Sequence, residues 1–321
     1  MKKVQIFIPT FNRCKSLKNT VKSILKQNYE NIEVIILDNC SNDGTEQEMY
    51  RIISKNKNVR YIRQEQNIGM IGNFNSIHSK IDGDYFCIQT DDDIYSNDFV
   101  SNSVDLLNFY HDANIAILNA PTRINGVVFR SQIEAWQEGF YKKESALLHI
   151  INGRHPILTN CMFRSKIGHK FIFEPILGGA ADVFLLFKMM MEENSIVSKK
   201  IGGYYDLHEN SYSETANGIQ RLLMKCNLYL AINNYCVING KYYVKTDLLK
   251  PKFFESIYIL FSNTNFDDFI KYKSLLKPYH YLLKKILILF RIFEIKIFYN
   301  LARLIISSLR KIKKCLSQVF Y

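Results

Sequence analysis

Short apolar runs alternate with amphipathic segments along the first 95 residues. The runs are rich in β-branched or aromatic residues and end at a proline or a polar loop, which is typical of buried strands. Between them, residues such as Leu17, Val21 and Ile24 recur at helical spacing, with Ser16 as a candidate cap of that helix. The predicted strands cover residues 4–8, 32–37, 59–62 and 85–88. Because strands alternate with helices, the pattern predicts a mostly parallel sheet flanked by helices.

The pattern is less regular beyond residue 96, where longer connections separate the apolar segments. A strongly apolar helix follows Asp182, and no strong motif occurs over residues 120–151. The other predicted elements are a helix over residues 97–110, strands over 115–118 and 157–163, and a helix over 220–237. We therefore predict an α/β domain over residues 1–215, whose halves meet near residue 95, and a helical region over residues 216–321.

The chain has 321 residues and a formal net charge of +12, but the charge is unevenly distributed. Residues 279–321 hold nine Lys or Arg and one Glu, so this segment alone contributes +8. Its basic residues recur every three or four positions opposite an apolar side, which predicts an amphipathic helix. No stretch reaches the ~18 apolar residues of a spanning helix, so we expect it to lie on an anionic membrane surface.

Two alternatives exist for this basic segment. It could pack on its own domain or on a second subunit, as many amphipathic helices do. Nucleic acid is not an expected partner, because no nucleic-acid-binding motif accompanies the charge.

The seven cysteines are scattered, and no Cys-x-x-Cys pair occurs. This spacing argues against a zinc site or a disulfide framework and fits a reducing compartment. The first apolar run is too short for a signal peptide. We therefore expect a cytoplasmic protein that is peripheral on the inner face of the cell membrane.

Three consecutive carboxylates, Asp91, Asp92 and Asp93, directly follow the predicted strand over residues 85–88. Adjacent carboxylates repel one another, and their hard oxygen atoms suit Mg²⁺ or Mn²⁺. Such a cation keeps open coordination positions, which a diphosphate can fill. A solvated acidic turn is the alternative for an isolated triplet of this kind.

Polar residues follow the other predicted strands of the first half as well. Thr10, Asn12 and Asp38 stand at such positions, and the carboxyl ends of parallel strands meet in one crevice. Asp38 could accept hydrogen bonds from a ribose or a base edge, or it could be an ordinary turn residue. The turn after the first strand has no glycine, and G-x-x-x-x-G-K-[ST] is absent, so dinucleotide and P-loop folds are excluded.

Asp182 is the only carboxylate in the glycine-containing loop before its apolar helix. Burial at the mouth of a helix would raise the pKa of this carboxyl group, as a general base requires. A helix N-cap explains the same position equally well. His149, His155 and His169 belong to no motif, and we expect no functional role for them.

Four segments together resemble family 2 of the glycosyltransferases, in order and in spacing. They are Ile8-Pro9-Thr10-Phe11-Asn12-Arg13, Asp38-Asn39-Cys40-Ser41-Asn42-Asp43-Gly44-Thr45, Asn67-Ile68-Gly69 and Thr90-Asp91-Asp92-Asp93. The resemblance implies the GT-A fold, which is a Rossmann-like, mostly parallel sheet flanked by helices, and an inverting reaction. It also implies that the nucleotide-sugar donor is bound by Pro9, Thr10, Asn12, Arg13, Asp38, Asn67, Gly69, Asp91 and Asp92.

The resemblance assigns the metal to the acidic triplet. Asp92 would be the direct ligand of Mg²⁺ or Mn²⁺, with Asp93 as a second candidate. The family commonly has Asp where this chain has Thr90, which leaves the division of roles among the three carboxylates open. His208 stands where a family histidine approaches the metal or the diphosphate, although a solvated loop histidine is the alternative.

The resemblance also settles the role expected of Asp182, as the base that deprotonates the acceptor hydroxyl. Family members often carry a second acidic residue where this chain has Ala181. The implied donor is a UDP-sugar, and the implied acceptor is a bacterial glycan or a lipid-linked precursor of lipopolysaccharide, capsule or a related polysaccharide. Two alternatives remain: a catalytically silent nucleotide- or glycan-binding protein, and a nucleotidylyltransferase, whose glycine-rich phosphate loop is missing here.

Overall fold

A computed structural model describes residues 1–124, 126–207 and 218–240 of the chain. The chain divides into two units, residues 1–215 and residues 216–321. In the second unit the structure describes one helix and the two residues after it. His208 and the basic segment over residues 279–321 lie outside the described residues.

The elements of the first unit follow the alternating order that the sequence predicts. Its strands are β1 (Val4–Thr10), β2 (Ile32–Asp38), β3 (Val59–Arg63), β4 (Tyr85–Ile88), β5 (Ile94–Tyr95), β6 (Ile115–Asn119), β7 (Pro121–Ile124), β8 (Val127–Ser131), β9 (Gly139–Tyr141), β10 (Cys161–Arg164), β11 (Ser195–Ile201) and β12 (Gly203–Leu207). Its helices are α1 (Cys14–Ile24), α2 (Thr45–Ile53), α3 (Gly69–Asn75), α4 (Phe99–Phe109), α5 (Leu147–Ile151) and α6 (Ala181–Glu192). Helix α7 (Gly218–Ile238) belongs to the second unit.

An eight-stranded sheet runs through the first unit in the order β3-β2-β1-β4-β10-β6-β11-β9. The strands β3, β2, β1 and β4 are parallel, as are β6 and β11, whereas β10 is antiparallel to both of its neighbours. Strands β1 and β4 are buried along their whole length, which explains their continuous apolar sequences. The predicted mostly parallel sheet flanked by helices is confirmed.

A smaller sheet has the strand order β5-β12-β7-β8. Its strand β5 directly follows the acidic triplet in the sequence. Gly203 opens β12 where that strand pairs with β5. A Cβ atom at this position would lie 2.5 Å from the carbonyl oxygen of Ile94, so only glycine permits the pairing as it stands.

Two predicted features of local structure are wrong. The predicted strand over residues 157–163 is a 3₁₀ turn, Leu158–Asn160, followed by β10, because a short apolar run does not distinguish a strand from a buried turn. Ser16 does not cap α1, which already begins at Cys14. The Cys14 amide donates instead to the carboxylate of Asp43, 2.9 Å away in the loop before α2.

Candidate functional site

The loop after β1 and the acidic triplet are joined by direct side-chain contacts. The Thr10 hydroxyl donates to Asp91 over 2.7 Å. A guanidinium nitrogen of Arg13 lies 2.5 Å from a carboxylate oxygen of Asp92 and 3.3 Å from one of Asp91. One arginine therefore partly compensates two of the three carboxylates, and the predicted residues of these two loops meet at the carboxyl ends of β1 and β4.

Asp38 and Asn12 organise the loops behind this cluster. The Asp38 side chain is fully buried, and it accepts hydrogen bonds from the hydroxyl of Tyr61 at 2.5 Å and from the backbone and hydroxyl of Ser41. The Ser41 hydroxyl in turn accepts from the backbone N–H of Asn12, which lies in the left-handed region at a φ of 53°. These contacts hold together the loops that follow β1 and β2.

A pair of asparagines fixes the loop before α3. The amide of Asn39 donates to the side-chain oxygen of Asn67 at 2.9 Å, and that oxygen also accepts from the Gly69 backbone at 2.8 Å. The Asn39 oxygen accepts from the backbone of Ile68. Sequence reasoning omitted Asn39 from the site, although its position just after β2 is the same signal that selected Asp38.

These loops enclose a cavity of about 390 Å³ at the carboxyl ends of the strands. Its size lies in the ordinary range of small-molecule sites. Seven of the nine residues predicted to bind a nucleotide sugar line it, whereas Asn12 and Asp38 do not. The seven are Pro9, Thr10, Arg13, Asn67, Gly69, Asp91 and Asp92.

Asp93 does not line this cavity, and it is almost fully buried. One carboxylate oxygen accepts from the hydroxyls of Thr90 and Thr159, at 2.8 and 3.1 Å, and the other accepts from the backbone of Asp206 at 3.0 Å. Burial raises the pKa of Asp93 to about 7, and that of Asp91 to about 6. The three carboxylates therefore have distinct environments, although they are adjacent in sequence.

A second cavity, of about 180 Å³, adjoins the first. Asp92, Asp93 and Asp182 all line it, so the structure brings the predicted base to the acidic triplet. The residues that line both cavities are Met70, Phe74, Thr90 and Asp92. Asp92 therefore stands at the junction of the two spaces.

Asp182 lies in the first turn of α6 and is not its N-cap, which is Ala180. Its Oδ1 accepts from the backbone N–H of Val183 at 2.7 Å. Gly178, in the turn before the helix, has a φ of 51° and a ψ of −125°, which favours glycine and sets the approach of the chain. Burial raises the pKa of Asp182, whereas the positive field of His155 opposes that shift.

Several residues of the second cavity had no predicted role. They include Phe74 and Phe173, and Tyr205 and Asp206 of β12. Sequence reasoning also missed the electrostatic contact of His155 with Asp182, because an isolated histidine carries no motif. These residues reach the site through tertiary contacts that local patterns do not reveal.

The donor chemistry of the acidic triplet fits a divalent cation such as Mg²⁺ or Mn²⁺. In the part of the chain that the structure describes, no three His, Cys, Asp or Glu side chains form a metal cage. A cation bound together with substrate phosphates needs only one or two protein carboxylates. Asp92 meets this requirement, because it lies at the junction of the cavities and offers hard oxygen ligands.

The sequence comparisons identify the protein class to which this geometry belongs. The family model described as Glycosyl transferase family 2 matches residues 5–171, about half of the chain, and the chain belongs to that family. An uncharacterized glycosyltransferase of Rickettsia conorii is 34% identical over 105 residues, which are 33% of this chain and 17% of that protein. The Campylobacter jejuni GalNAc(5)-diNAcBac-PP-undecaprenol beta-1,3-glucosyltransferase is 30% identical over 94 residues, 29% of this chain and 30% of that protein. The chain thus spans less than a third of the length of either relative.

Two solved structures share the fold over most of the chain. Staphylococcus aureus TarS, residues 1–349 in complex with UDP, has a TM-score of 0.57 and 17% identity, covering 82% of this chain and 73% of that one. The mannosyltransferase PcManGT from Pyrobaculum calidifontis, in complex with GDP-Man and Mn²⁺, has a TM-score of 0.56 and 14% identity, covering 97% and 87%. These similarities support the GT-A fold that the motifs imply.

Proposed function

We propose that the chain is a metal-dependent, inverting glycosyltransferase that moves a sugar from a nucleotide sugar to an acceptor hydroxyl. The observation that carries this proposal is the junction of two cavities at Asp92. One cavity holds the residues expected to bind a nucleotide, and the other holds Asp182. A donor that spans the junction would place its diphosphate at Asp92 and its sugar in reach of the base.

The first cavity would hold the nucleoside diphosphate. Asn67 and Asn39 keep the entrance loop in place, while Arg13 and Thr10 fix the orientation of the acidic triplet. A bound Mg²⁺ or Mn²⁺ would neutralise negative charge that develops on the leaving diphosphate. Asp92 would hold that cation. Asp93 would keep the loop in shape by accepting hydrogen bonds from three donors of the surrounding chain.

In the second cavity, Asp182 would take the proton of the acceptor hydroxyl. The hydroxyl oxygen then forms a bond to the anomeric carbon on the face opposite to the diphosphate. The bond between that carbon and the diphosphate oxygen breaks, and its electron pair leaves with the nucleoside diphosphate. A single displacement of this kind inverts the anomeric centre and needs no covalent intermediate. The raised pKa of Asp182 suits it to accept a proton.

The proposal extends to the classes of donor and acceptor. We favour a UDP-sugar, which is supported by the TarS structures with UDP and UDP-GlcNAc, although PcManGT is seen with GDP-Man. We favour a glycan or lipid-linked acceptor of bacterial surface polysaccharide. The Campylobacter relative, whose name includes a PP-undecaprenol-linked glycan, supports a lipid-linked acceptor.

We further propose that the protein is peripheral on the inner face of the cell membrane. Support comes from the charge of +8 over residues 279–321, which would attract anionic lipid. Within residues 1–124, 126–207 and 218–240, no helix is long and apolar enough to cross a bilayer. A lipid-linked acceptor would be reached most directly by an enzyme on that surface.

Calorimetric binding of UDP and GDP, with and without Mn²⁺, tests the proposed function. We expect one nucleotide to bind in the presence of Mn²⁺ and to bind at least about tenfold more weakly to Asp92→Asn, since a charge-assisted ligand is lost. Asp112→Asn makes the same change at an exposed position and should bind like the wild type. Binding of neither nucleotide would refute the proposal, and binding without any sugar release from donors would indicate a silent binding protein.

A further inference from the structure

The second cavity is lined very unevenly. Its apolar side is formed by large side chains from three segments that are far apart in sequence. They are Met70, Ile71 and Phe74 of α3, Ile157 and Leu158 of the turn before β10, and Phe173. A sugar hydroxyl pressed against this surface would lose its water without gaining a hydrogen-bond partner.

This apolar wall is held in a defined shape. Asn75 at the end of α3 donates to the backbone oxygen of Phe173 at 3.0 Å and accepts from its backbone N–H at 2.8 Å. The rings of Phe74 and Phe173 meet edge to face, with centroids 5.0 Å apart. The wall is therefore a fixed part of the cavity and cannot readily withdraw to expose polar groups.

The rest of the cavity lining is largely polar and acidic. Asp92, Asp93, Asp182 and Asp206 line it, and none of the described lining residues is Lys, Arg or His. Two neighbouring arginines are already engaged, since Arg13 contacts Asp91 and Asp92, and Arg123 forms a two-pronged ion pair with Asp206. A negatively charged sugar would therefore meet carboxylates, while the cation at Asp92 would be engaged by the diphosphate and the field of His155 acts on Asp182.

The position of the wall indicates which sugar it contacts. Met70 and Phe74 line both cavities and flank Asp92 at the junction. The group attached directly to the diphosphate is the donor sugar, so it is the donor sugar that would enter beside α3. This step rests on the proposed function, because it takes the first cavity to hold a nucleoside diphosphate.

We infer that the donor carries a neutral sugar with a methyl-bearing substituent that packs on the wall of Met70, Ile71, Phe74 and Phe173. The substituent is an acetamido group or the carbon-6 methyl of a 6-deoxy sugar. Both present a methyl group that can pack on the wall. Hydroxyl groups on the other face would be left for Asp92, Asp93 and Thr159. A uronic acid would place its carboxylate beside Asp93, Asp182 and Asp206 and is therefore expected to be a poorer donor than the neutral sugar.

Donor hydrolysis by the full chain with Mn²⁺ tests this inference through three matched pairs of donors. UDP-N-acetylglucosamine and UDP-glucose differ at carbon 2, and GDP-D-rhamnose and GDP-D-mannose differ at carbon 6. UDP-glucuronate and UDP-glucose differ at carbon 6, where a carboxylate replaces the neutral hydroxymethyl group. We expect one methyl-bearing donor to exceed its partner in kcat/KM by about tenfold or more, and glucuronate to fall below glucose by a similar factor.

Ile71→Thr replaces the ethyl arm of a wall residue by a hydroxyl, which makes the wall both smaller and polar, and should reduce the methyl preference several-fold. Ile172→Thr makes the same change on an exposed side chain outside the cavity and should leave it unchanged. Equal use within both methyl pairs, or use of glucuronate equal to glucose, would overturn the inference while nucleotide binding stands. Failure of both UDP and GDP to bind would refute the proposed function itself.

Discussion

The backbone N–H of Asp206 donates a hydrogen bond of 3.0 Å to the buried carboxylate of Asp93. This bond ties β12, in the smaller sheet, to the acidic triplet beyond β4 of the larger sheet. Asp206 is held in turn by its ion pair with Arg123, whose guanidinium lies over the ring of Tyr204 at 4.8 Å from the ring centre. The shape of the acidic loop therefore depends on a strand more than a hundred residues away.

Asp93→Asn should destabilise the protein because the amide cannot accept from all three donors that the carboxylate satisfies. We expect the free energy of unfolding to fall by about 1–3 kcal/mol, the cost of leaving buried donors without partners. Urea unfolding measures this change. Asp112→Asn, at an exposed position, should shift stability by less than about 0.5 kcal/mol. Unchanged stability of Asp93→Asn would contradict the structural role of this carboxylate.

Gly203→Ala should displace β12 from β5, since the added methyl would lie 2.5 Å from the Ile94 carbonyl oxygen. We expect a loss of about 1–3 kcal/mol of stability and a clear fall in transfer, because the displacement reaches the bond to Asp93. Gly126→Ala is a control with strained backbone but no atom within 4 Å of its Cβ. Gly126→Ala should lose stability and keep its transfer rate. Equal transfer rates in the two variants would argue that the position of β12 does not affect the acidic loop.

His155→Gln should move the acidic limb of the pH–rate profile to higher pH. Burial raises the pKa of Asp182 and His155 lowers it, so removing the histidine leaves a still higher pKa. Because the base acts in its deprotonated form, the rate would rise only at higher pH than in the wild type. His169→Gln, on an exposed turn, is the matched control. A limb that stays in place in His155→Gln would show that this histidine does not influence the base.

The basic segment over residues 279–321 should govern binding to anionic vesicles. Neutralising four of its charges should weaken co-sedimentation with such vesicles at low salt, at about 1 kcal/mol per charge near the surface. Binding that survives this change, or no binding by the wild type, would indicate that the segment packs on protein. The test variant changes Arg310, Lys311, Lys313 and Lys314 to Gln, and the control changes exposed Lys22, Lys26, Lys55 and Lys57 to Gln.

The first half of the fold could be predicted from sequence largely because β1, β2 and β4 are buried apolar runs that end at polar loops. The rule that such ends meet at one edge also placed Thr10 and Asp91 together correctly. The region over residues 120–151 was not predicted, because β7 is short and only partly buried and β8 is largely exposed, so neither has a continuous buried pattern. The apolar wall at Phe173 and the field of His155 arise from contacts between distant segments, which no local spacing encodes.

The central claim is that Asp182 acts as the base, and the transfer rate of Asp182→Asn at saturating donor tests it most directly. Asn retains the oxygen that accepts from Val183, so the fold and the donor's Kd should change little. Transfer should fall by on the order of 10²-fold or more, the usual contribution of a positioned base. A rate near that of the wild type, at unchanged donor affinity, would contradict the account.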